Sequence, residues 1–227
     1  MKTVRFRSTH RELPVGKILC LGRNYAEHAR EMMAEIPLEP VVFLKPSSAL
    51  VSDGGSVIIP PFSKEVHHEV EMVLVIGREG RHIAREQAME HIAGYAVGLD
   101  MTLRDIQSVA KSKGLPWTVA KGFDTSAPLS QAVERDRIAD PHSLSLSLKV
   151  NGHLRQHSST AAMIFPVDVI VSYLSTIFTL EPGDLIFTGT PEGVAAVAQG
   201  DLLEAELESV GRLTVNVRTM EEGTHHG

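Results

Sequence analysis

The sequence predicts a β-rich α+β fold, a mixed β-sandwich or roll with helices on its periphery. Three observations predict it. Short β-branched and apolar runs bounded by Gly, Pro, Asn and Asp outnumber stretches with helical periodicity. Many connections have hairpin chemistry, Asn151-Gly152 above all. The helical stretches gather in a few places instead of falling between every pair of strands, which argues against a doubly wound sheet. The chain has 227 residues, ample for a real core. No linker or repeat divides it, so residues 1–227 are expected to form one domain.

The elements follow in order. Residues 1–16 read as a short strand and a turn at Pro14 and Gly16. Lys17 to Leu21 is an apolar strand ending at Gly22, and Asn24 is placed to cap a helix from Tyr25 to about Met33. Pro37 and Pro40 stop that helix before a strand at Val41–Leu44, and Val57–Ile59 is the next strand. Val66 to Ile76 reads as one strand, polar at its start and apolar at its end. Arg85–Ile92 reads as helix, and Gly94–Leu99 as a buried strand that delivers Asp100. Thr102–Lys113 is helical and is closed by Gly114 and Pro116. Ser143–Val150 alternates like a strand and enters the Asn151-Gly152 turn. Ser159–Phe165 reads as a short helix, and Pro166 suits the first position of another whose apolar face is Val167, Ile170, Val171 and Leu174. Strands at Leu185–Thr188, Leu202–Glu208 and Arg212–Arg218 complete the chain, and Thr224–Gly227 reads as a frayed tail.

Composition narrows the function. The chain is 43% hydrophobic and 22% charged, with net charge −6. That mild acidity gives no reason to expect nucleic acid or an anionic membrane as a partner. Cys20 is the lone cysteine, which excludes an intrachain disulfide and a thiolate metal cluster. No adjacent base marks it as a nucleophile, so it reads as a buried inert thiol. No signal-peptide pattern and no membrane-length apolar run is present, and the expected location is the cytoplasm.

The chemistry starts at Glu69 and Glu71. Two residues apart on a strand, they share a face. Paired carboxylates at the start of a buried strand repel each other and lose hydration, which a hard divalent cation with oxygen ligands would relieve. Asp100, ending a neighbouring apolar strand, supplies a third acid. Together the three leave about half of an octahedral Mg²⁺ or Mn²⁺ shell for water or substrate. Read from spacing alone, the same acids serve equally as ion-pair partners of lysine and arginine. His67 is in register with the glutamates, but such a site prefers oxygen. His68 faces the other way and reads as a core histidine.

Other candidates surround this group. Arg104 and Gln107 share a helix face, where they suit a substrate carboxylate and carbonyl or line a solvated surface. His28 and Glu31, three apart, read as a general-base dyad or as a surface contact. Lys121 follows an apolar segment containing Trp117, where it stabilises an oxyanion or buries its stem beneath a surface ammonium. Lys45 and Thr190, after the strands at 41–44 and 185–188, are candidate substrate contacts or plain turn residues.

Several segments together resemble the fumarylacetoacetate hydrolase family. They are Gly22-Arg23-Asn24-Tyr25-Ala26-Glu27-His28, Phe43-Leu44-Lys45-Pro46, His67-His68-Glu69-Val70-Glu71 and Leu99-Asp100-Met101-Thr102-Leu103-Arg104-Asp105, followed by Gly114-Leu115-Pro116-Trp117, Ala120-Lys121, Lys149-Val150-Asn151-Gly152 and Thr188-Gly189-Thr190-Pro191. They occur in the family's order from about residue 17 to 218. Long fumarylacetoacetases carry an extra N-terminal domain and a carboxylate ligand just before the lid histidine. Here Cys20-Leu21-Gly22 precedes Arg23, so the resemblance is to the short single-domain branch with acylpyruvate hydrolase and oxaloacetate decarboxylase activity.

The resemblance implies a mixed β-sandwich roll, usually a homodimer. It implies Mg²⁺ or Mn²⁺ on Glu69, Glu71 and Asp100, a water-activating His28/Glu31 dyad on a lid helix, and Lys121 with Gln107 at the oxyanion. Arg104, Lys45 and Thr190 would line the substrate site. The expected reaction is C–C cleavage of a 2,4-dioxo acid such as fumarylpyruvate to pyruvate and a carboxylic acid. The alternatives are oxaloacetate decarboxylation, keto–enol isomerisation of oxaloacetate or a 2-hydroxydienoate, and a non-catalytic 2-oxo-acid or metal-binding module.

Overall fold

The computed structural model describes residues 1–220, so the tail at Thr224–Gly227 lies outside the described residues. The chain opens with a hairpin, β1 (Thr3–Arg5) and β2 (Glu12–Pro14), followed by β3 (Ile18–Gly22) and the short helix α1 (Ala26–Glu31). Next come β4 (Val41–Lys45), β5 (Leu50–Ser52), β6 (Ser56–Ile59), β7 (Val66–His67), β8 (Val70–Ile76), β9 (Ile92–Leu99) and β10 (Thr102–Leu103). Helices α2 (Arg104–Ser112) and α3 (Thr118–Lys121) precede β11 (Ala127–Leu129), β12 (Val133–Glu134), β13 (Ser145–Val150) and β14 (His153–Ser159). Helix α4 (Val167–Ile177) leads into β15 (Leu185–Phe187), β16 (Ala196–Val197), β17 (Leu202–Leu207) and β18 (Gly211–Thr219).

Two large sheets form the frame, and the β-rich expectation matches them. One runs β4-β3-β15-β8-β9-β11-β5, with β12 also on β9; the other runs β14-β13-β17-β18-β6. Both are mixed, since β3/β15, β5/β11 and β6/β18 pair in parallel. All seven residues of β8 are buried, because both faces of its sheet are covered. Met72, Leu74 and Ile76 join Leu148, Leu203 and Val215 of the second sheet and Ile170 and Leu174 of α4 in one core. Their alternates Val73 and Val75 pack with Val4, Phe6, Ile18 and Phe187 in another. The period-two alternation of the strand divides the cores.

Several boundaries differ from the sequence expectation. The strand over 66–76 is two strands: β7 pairs with β10 and β16, β8 with β9 and β15, and the chain changes sheets at His68-Glu69. Helix α2 begins at Arg104, since Thr102 and Leu103 pair with β7. Arg85–His91 and Thr160–Ala162 are 3₁₀ turns. Asn24 does not cap α1. Its Oδ1 accepts the Phe165 N–H at 2.7 Å, and its Nδ2 donates to the carbonyls of Phe165 and Thr188 at 3.1 and 2.7 Å. The side chain therefore ties the loop before α1 to the ends of β15 and α4, a long-range role that local spacing does not reveal. Pro166 stands at the N-cap of α4, and the imidazole of His142 accepts the Val167 N–H at 3.1 Å. The Asn151-Gly152 turn joins β13 to β14, with both residues at positive φ (52° and 78°) as a tight hairpin turn demands. No described helix is long and apolar enough to cross a membrane.

Candidate active site

The sheet topology brings the three acids together. Val70 of β8 is in register with Leu99 of β9, and the Asp100 N–H donates to the Glu69 carbonyl at 2.8 Å. Glu69 comes from the junction before β8, Glu71 from β8 itself and Asp100 from just beyond β9. One oxygen from each lies within 4.8 Å of the others, and all three residues are buried. Burial alone would make three such charges prohibitive, so their partners decide what the site can hold.

Lys121, at the end of α3, places Nζ 2.7 Å from Glu69 Oε2 and 2.7 Å from Asp100 Oδ2. Burial opposes its charge, but Asp100 and Glu69 outweigh burial and raise the ammonium above the ordinary lysine value. Arg104 Nη2 lies 2.5 Å from Glu69 Oε1. Glu69 is buried too, yet Lys121 and Arg104 hold its carboxyl well below the usual range. Glu71 is different. The Gly189 N–H donates to it at 2.7 Å, and no cation pairs with it among the described residues. Burial first, then Asp100 and Glu69, push its carboxyl well above the usual range. Lys45 Nζ lies 2.8 Å from Asp100 Oδ1 without hydrogen-bond alignment, which leaves that oxygen with no donor.

The donor set fits a hard divalent cation. Three carboxylates converge, Glu71 lacks a counter-charge, and a buried Asp100 oxygen lacks a donor. Oxygen-only ligation of this kind suits Mg²⁺ or Mn²⁺.

A narrow cleft of about 30 Å³ lies against this group, room for about one water. His28, Glu69, Arg104, Gln107, Lys121 and Thr190 all line it, with Phe43 and Trp117 as an aromatic wall. Phe43 and Trp117 pack 5.9 Å apart, and Lys121 Nζ sits 4.9 Å from the Phe43 ring centre. His28 Nδ1 is 3.3 Å from Glu31 Oε2, and the Gly193 N–H donates to the same carboxylate at 3.1 and 3.2 Å. With Nδ1 facing Glu31, the other ring nitrogen is left free for the cleft. The Gln107 carbonyl accepts from Arg104 Nη1 at 2.7 Å, so its amide N–H₂ is the end left to donate.

Four other residues singled out in the sequence sit differently. Lys45 is 1% exposed and does not line the cleft; it donates to the carbonyls of Met101 (3.2 Å) and Lys121 and pairs with Asp100. Thr190 reaches the cleft, but its hydroxyl donates to the Val70 carbonyl at 2.9 Å and accepts from Gln156 Nε2 at 2.9 Å. His67 does not join the three acids: its Nε2 lies 2.8 Å from Glu65, and its Nδ1 accepts from Arg104 Nε at 3.4 Å. His68 is fully buried with Nδ1 2.9 Å from Gln156 Oε1.

Sequence reasoning missed Gln156. Its amide joins His68, Val70, Thr190 and Pro191 beneath the acids. It is the one buried residue among the first five of β14, and a glutamine in a polar strand carries no local signal of that kind.

The family model for the fumarylacetoacetate (FAA) hydrolase C-terminal region matches residues 17–218. The chain belongs to the fumarylacetoacetate hydrolase family. Within this enzyme family, it is 51% identical over 193 residues to the rat protein named oxaloacetate tautomerase FAHD1, mitochondrial, covering 85% of this chain and 87% of that one. Among solved structures it is similar to a fumarylpyruvate hydrolase of Pseudomonas aeruginosa in complex with Mn²⁺ and pyruvate, with 41% identity, TM-score 0.93 and 96% of each chain covered. A 5-carboxymethyl-2-hydroxymuconate delta-isomerase of Mycobacterium smegmatis is also similar, with 36% identity, TM-score 0.82, and 94% of this chain and 87% of that one covered. Family members thus carry names for hydrolysis, tautomerisation and isomerisation on one fold.

Proposed function

We propose that the protein is a divalent-metal-dependent enzyme of 2-oxo acids that hydrolyses the C3–C4 bond of 2,4-dioxo acids (acylpyruvates). The observation that carries this reading is a cleft lined by His28, Glu69 and Lys121, with Glu71 and Asp100 gathered behind Glu69 and Glu31 behind His28. Glu69, Glu71 and Asp100 would hold a divalent cation, which would supply positive charge to offset the anionic substrate and the charge that builds up during cleavage.

The chain's own groups account for the remaining steps. Glu31 orients His28 through Nδ1, and Nε2 takes a proton from water as that water attacks C4. The C4 oxygen gains the negative charge, which the Lys121 ammonium and the Gln107 amide stabilise. Collapse breaks C3–C4, and the electron pair becomes the enolate of pyruvate. The imidazolium returns its proton to C3. Arg104 holds Glu69 and Gln107 in position, and Thr190 borders the bound acid. The cleft's small volume requires α1 to shift when substrate enters.

A second reading is keto–enol tautomerisation of oxaloacetate, favoured by the name of the rat relative. It uses the same enolate stabilisation, with His28 moving a proton between C3 and the enol oxygen and no attacking water.

We extend the proposal to a homodimer. Its support is the edge strand β4, where exposed Leu44 adjoins Leu115 around a groove of about 710 Å³. Sedimentation at micromolar concentration tests it, and a monomer there overturns it.

The deciding experiment for the reaction incubates the purified protein with Mg²⁺ or Mn²⁺ and a panel of acylpyruvates, enol-oxaloacetate and 2-hydroxydienoates. Pyruvate release from an acylpyruvate is the expected result. Accelerated loss of the enol without pyruvate release assigns tautomerisation instead, and no turnover of any member overturns both.

A further inference from the structure

Two cations that line the cleft have no part in the reaction just described. Arg23 follows β3 at φ +61°, and Lys111 stands two turns beyond Arg104 on α2. Neither forms an ion pair among the described residues. Lys111 lies with its ammonium 5.4 Å from the Trp117 ring centre. Burial, then the charges of Arg104 and Arg23, push that ammonium below the ordinary lysine value. Like charges crowded at a partly desolvated mouth are unfavourable until an anion joins them.

The arrangement gives that anion a direction. Arg104, Gln107 and Lys111 recur at i, i+3 and i+7, so they form one stripe on α2. Lys111 stands about 6 Å further along the helix axis than Gln107. Arg104 and Lys121 are neutralised by Glu69 and Asp100 at the buried end. Arg23 and Lys111 remain uncompensated toward solvent. A 2-oxo acid whose first carboxylate met a cation held by the three acids would extend outward, past Gln107, toward Arg23 and Lys111.

We infer that Arg23 and Lys111 form a second carboxylate site, which selects dicarboxylic 2-oxo acids over monocarboxylic ones. The inference rests on the cleft being the 2-oxo-acid site proposed above. A lysine and an arginine converging from two elements suit a terminal carboxylate and not a methyl group.

The test uses Lys111→Gln, Arg23→Gln and the charge-preserving Lys111→Arg, all at solvent-accessible positions. For each, kcat/KM is measured with fumarylpyruvate as the dicarboxylic and acetylpyruvate as the monocarboxylic substrate. Binding of 2-oxoglutarate and 2-oxobutyrate to the Mg²⁺-loaded protein is measured by calorimetry. The expected result is a dicarboxylic preference of tenfold or more in the native protein. Either glutamine variant reduces the ratio at least tenfold, through KM, and Lys111→Arg restores most of it. An unchanged ratio, or a loss confined to kcat, overturns the second site. The two methods separate the two ideas. Preferential binding of 2-oxoglutarate without turnover of any substrate sinks the proposed reaction and leaves the second carboxylate site standing. Turnover of both substrates with no preference does the reverse.

Discussion

Lys45 Nζ lies 2.8 Å from Asp100 Oδ1, and both side chains are almost completely withdrawn from water. The lysine also donates to the carbonyl of Met101, next to Asp100, and to the carbonyl of Lys121 itself. It therefore anchors an acid and the backbone behind Lys121 at once. Removing one member of such a buried pair leaves the other uncompensated, at a cost of about 3 kcal/mol. Lys45→Met should lower the stability of the metal-free protein by about that amount in urea titration. A loss of only a few tenths would mean that Lys121 alone balances Asp100.

The dyad makes a sharper kinetic prediction. His28 touches the cleft; Glu31 reaches it only through His28, and its carboxylate is anchored by the Gly193 N–H. His28→Ala should lower kcat for acylpyruvate hydrolysis by roughly 10²–10⁴-fold, with metal affinity retained. Glu31→Gln keeps the Gly193 contact and should cost less. Steady-state kinetics with calorimetric metal titration separates the two effects, and full activity in His28→Ala would remove the histidine from the mechanism.

How much of this could be read from the sequence depends on the range of each contact. Glu69, Glu71 and Asp100 were legible because strand parity and strand ends are local properties, and the structure does converge them. The interruption at His68-Glu69 was not, since nothing in Val66–Ile76 reports that β7 and β8 find partners in different sheets. Their convergence survives because Asp100 pairs with the Glu69 backbone. Asn24 and Lys45 looked like a helix cap and a strand-end contact. Their partners lie at Phe165, Thr188 and Asp100, far along the chain, and only tertiary packing reveals them.

His68 gives a pH dependence. Gln156 donates through Nε2 to the Pro191 carbonyl, so its Oε1 is the acceptor and His68 Nδ1 carries the proton. His68 Nε2 then remains a buried acceptor with no partner. Burial is the first cause that holds this imidazole below its ordinary value, against the Gln156 bond. The unfolded chain therefore binds a proton that the folded one refuses. This contribution to stability is fully present above the unfolded histidine pKa, about 6.5, and is lost progressively as pH falls below it. Imidazole ¹⁵N spectra should show His68 as the neutral Nδ1–H form at pH 7, and still neutral as pH falls below the free-histidine value of about 6.5. Titration of His68 at that free value would contradict the buried geometry.

Gly189 links backbone conformation to the acids. Its φ of +99° lies in the region that favours glycine, and an added Cβ would stand 2.7 Å from Asn24 Cβ. Its N–H is also the donor that holds Glu71 Oε2 at 2.7 Å. The Gly189→Ala substitution must therefore do two things. It strains the turn by about 1–3 kcal/mol, and the relaxation that relieves the strain moves the N–H away from Glu71. Asn24 cannot yield freely, because its side chain is fixed to Phe165 and Thr188. The expected outcome is a lower melting temperature together with Mn²⁺ binding weakened severalfold, read by calorimetry. Weakened stability with unchanged Mn²⁺ affinity would show that Glu71 is held by β8 alone and that the glycine turn has no part in setting the acids.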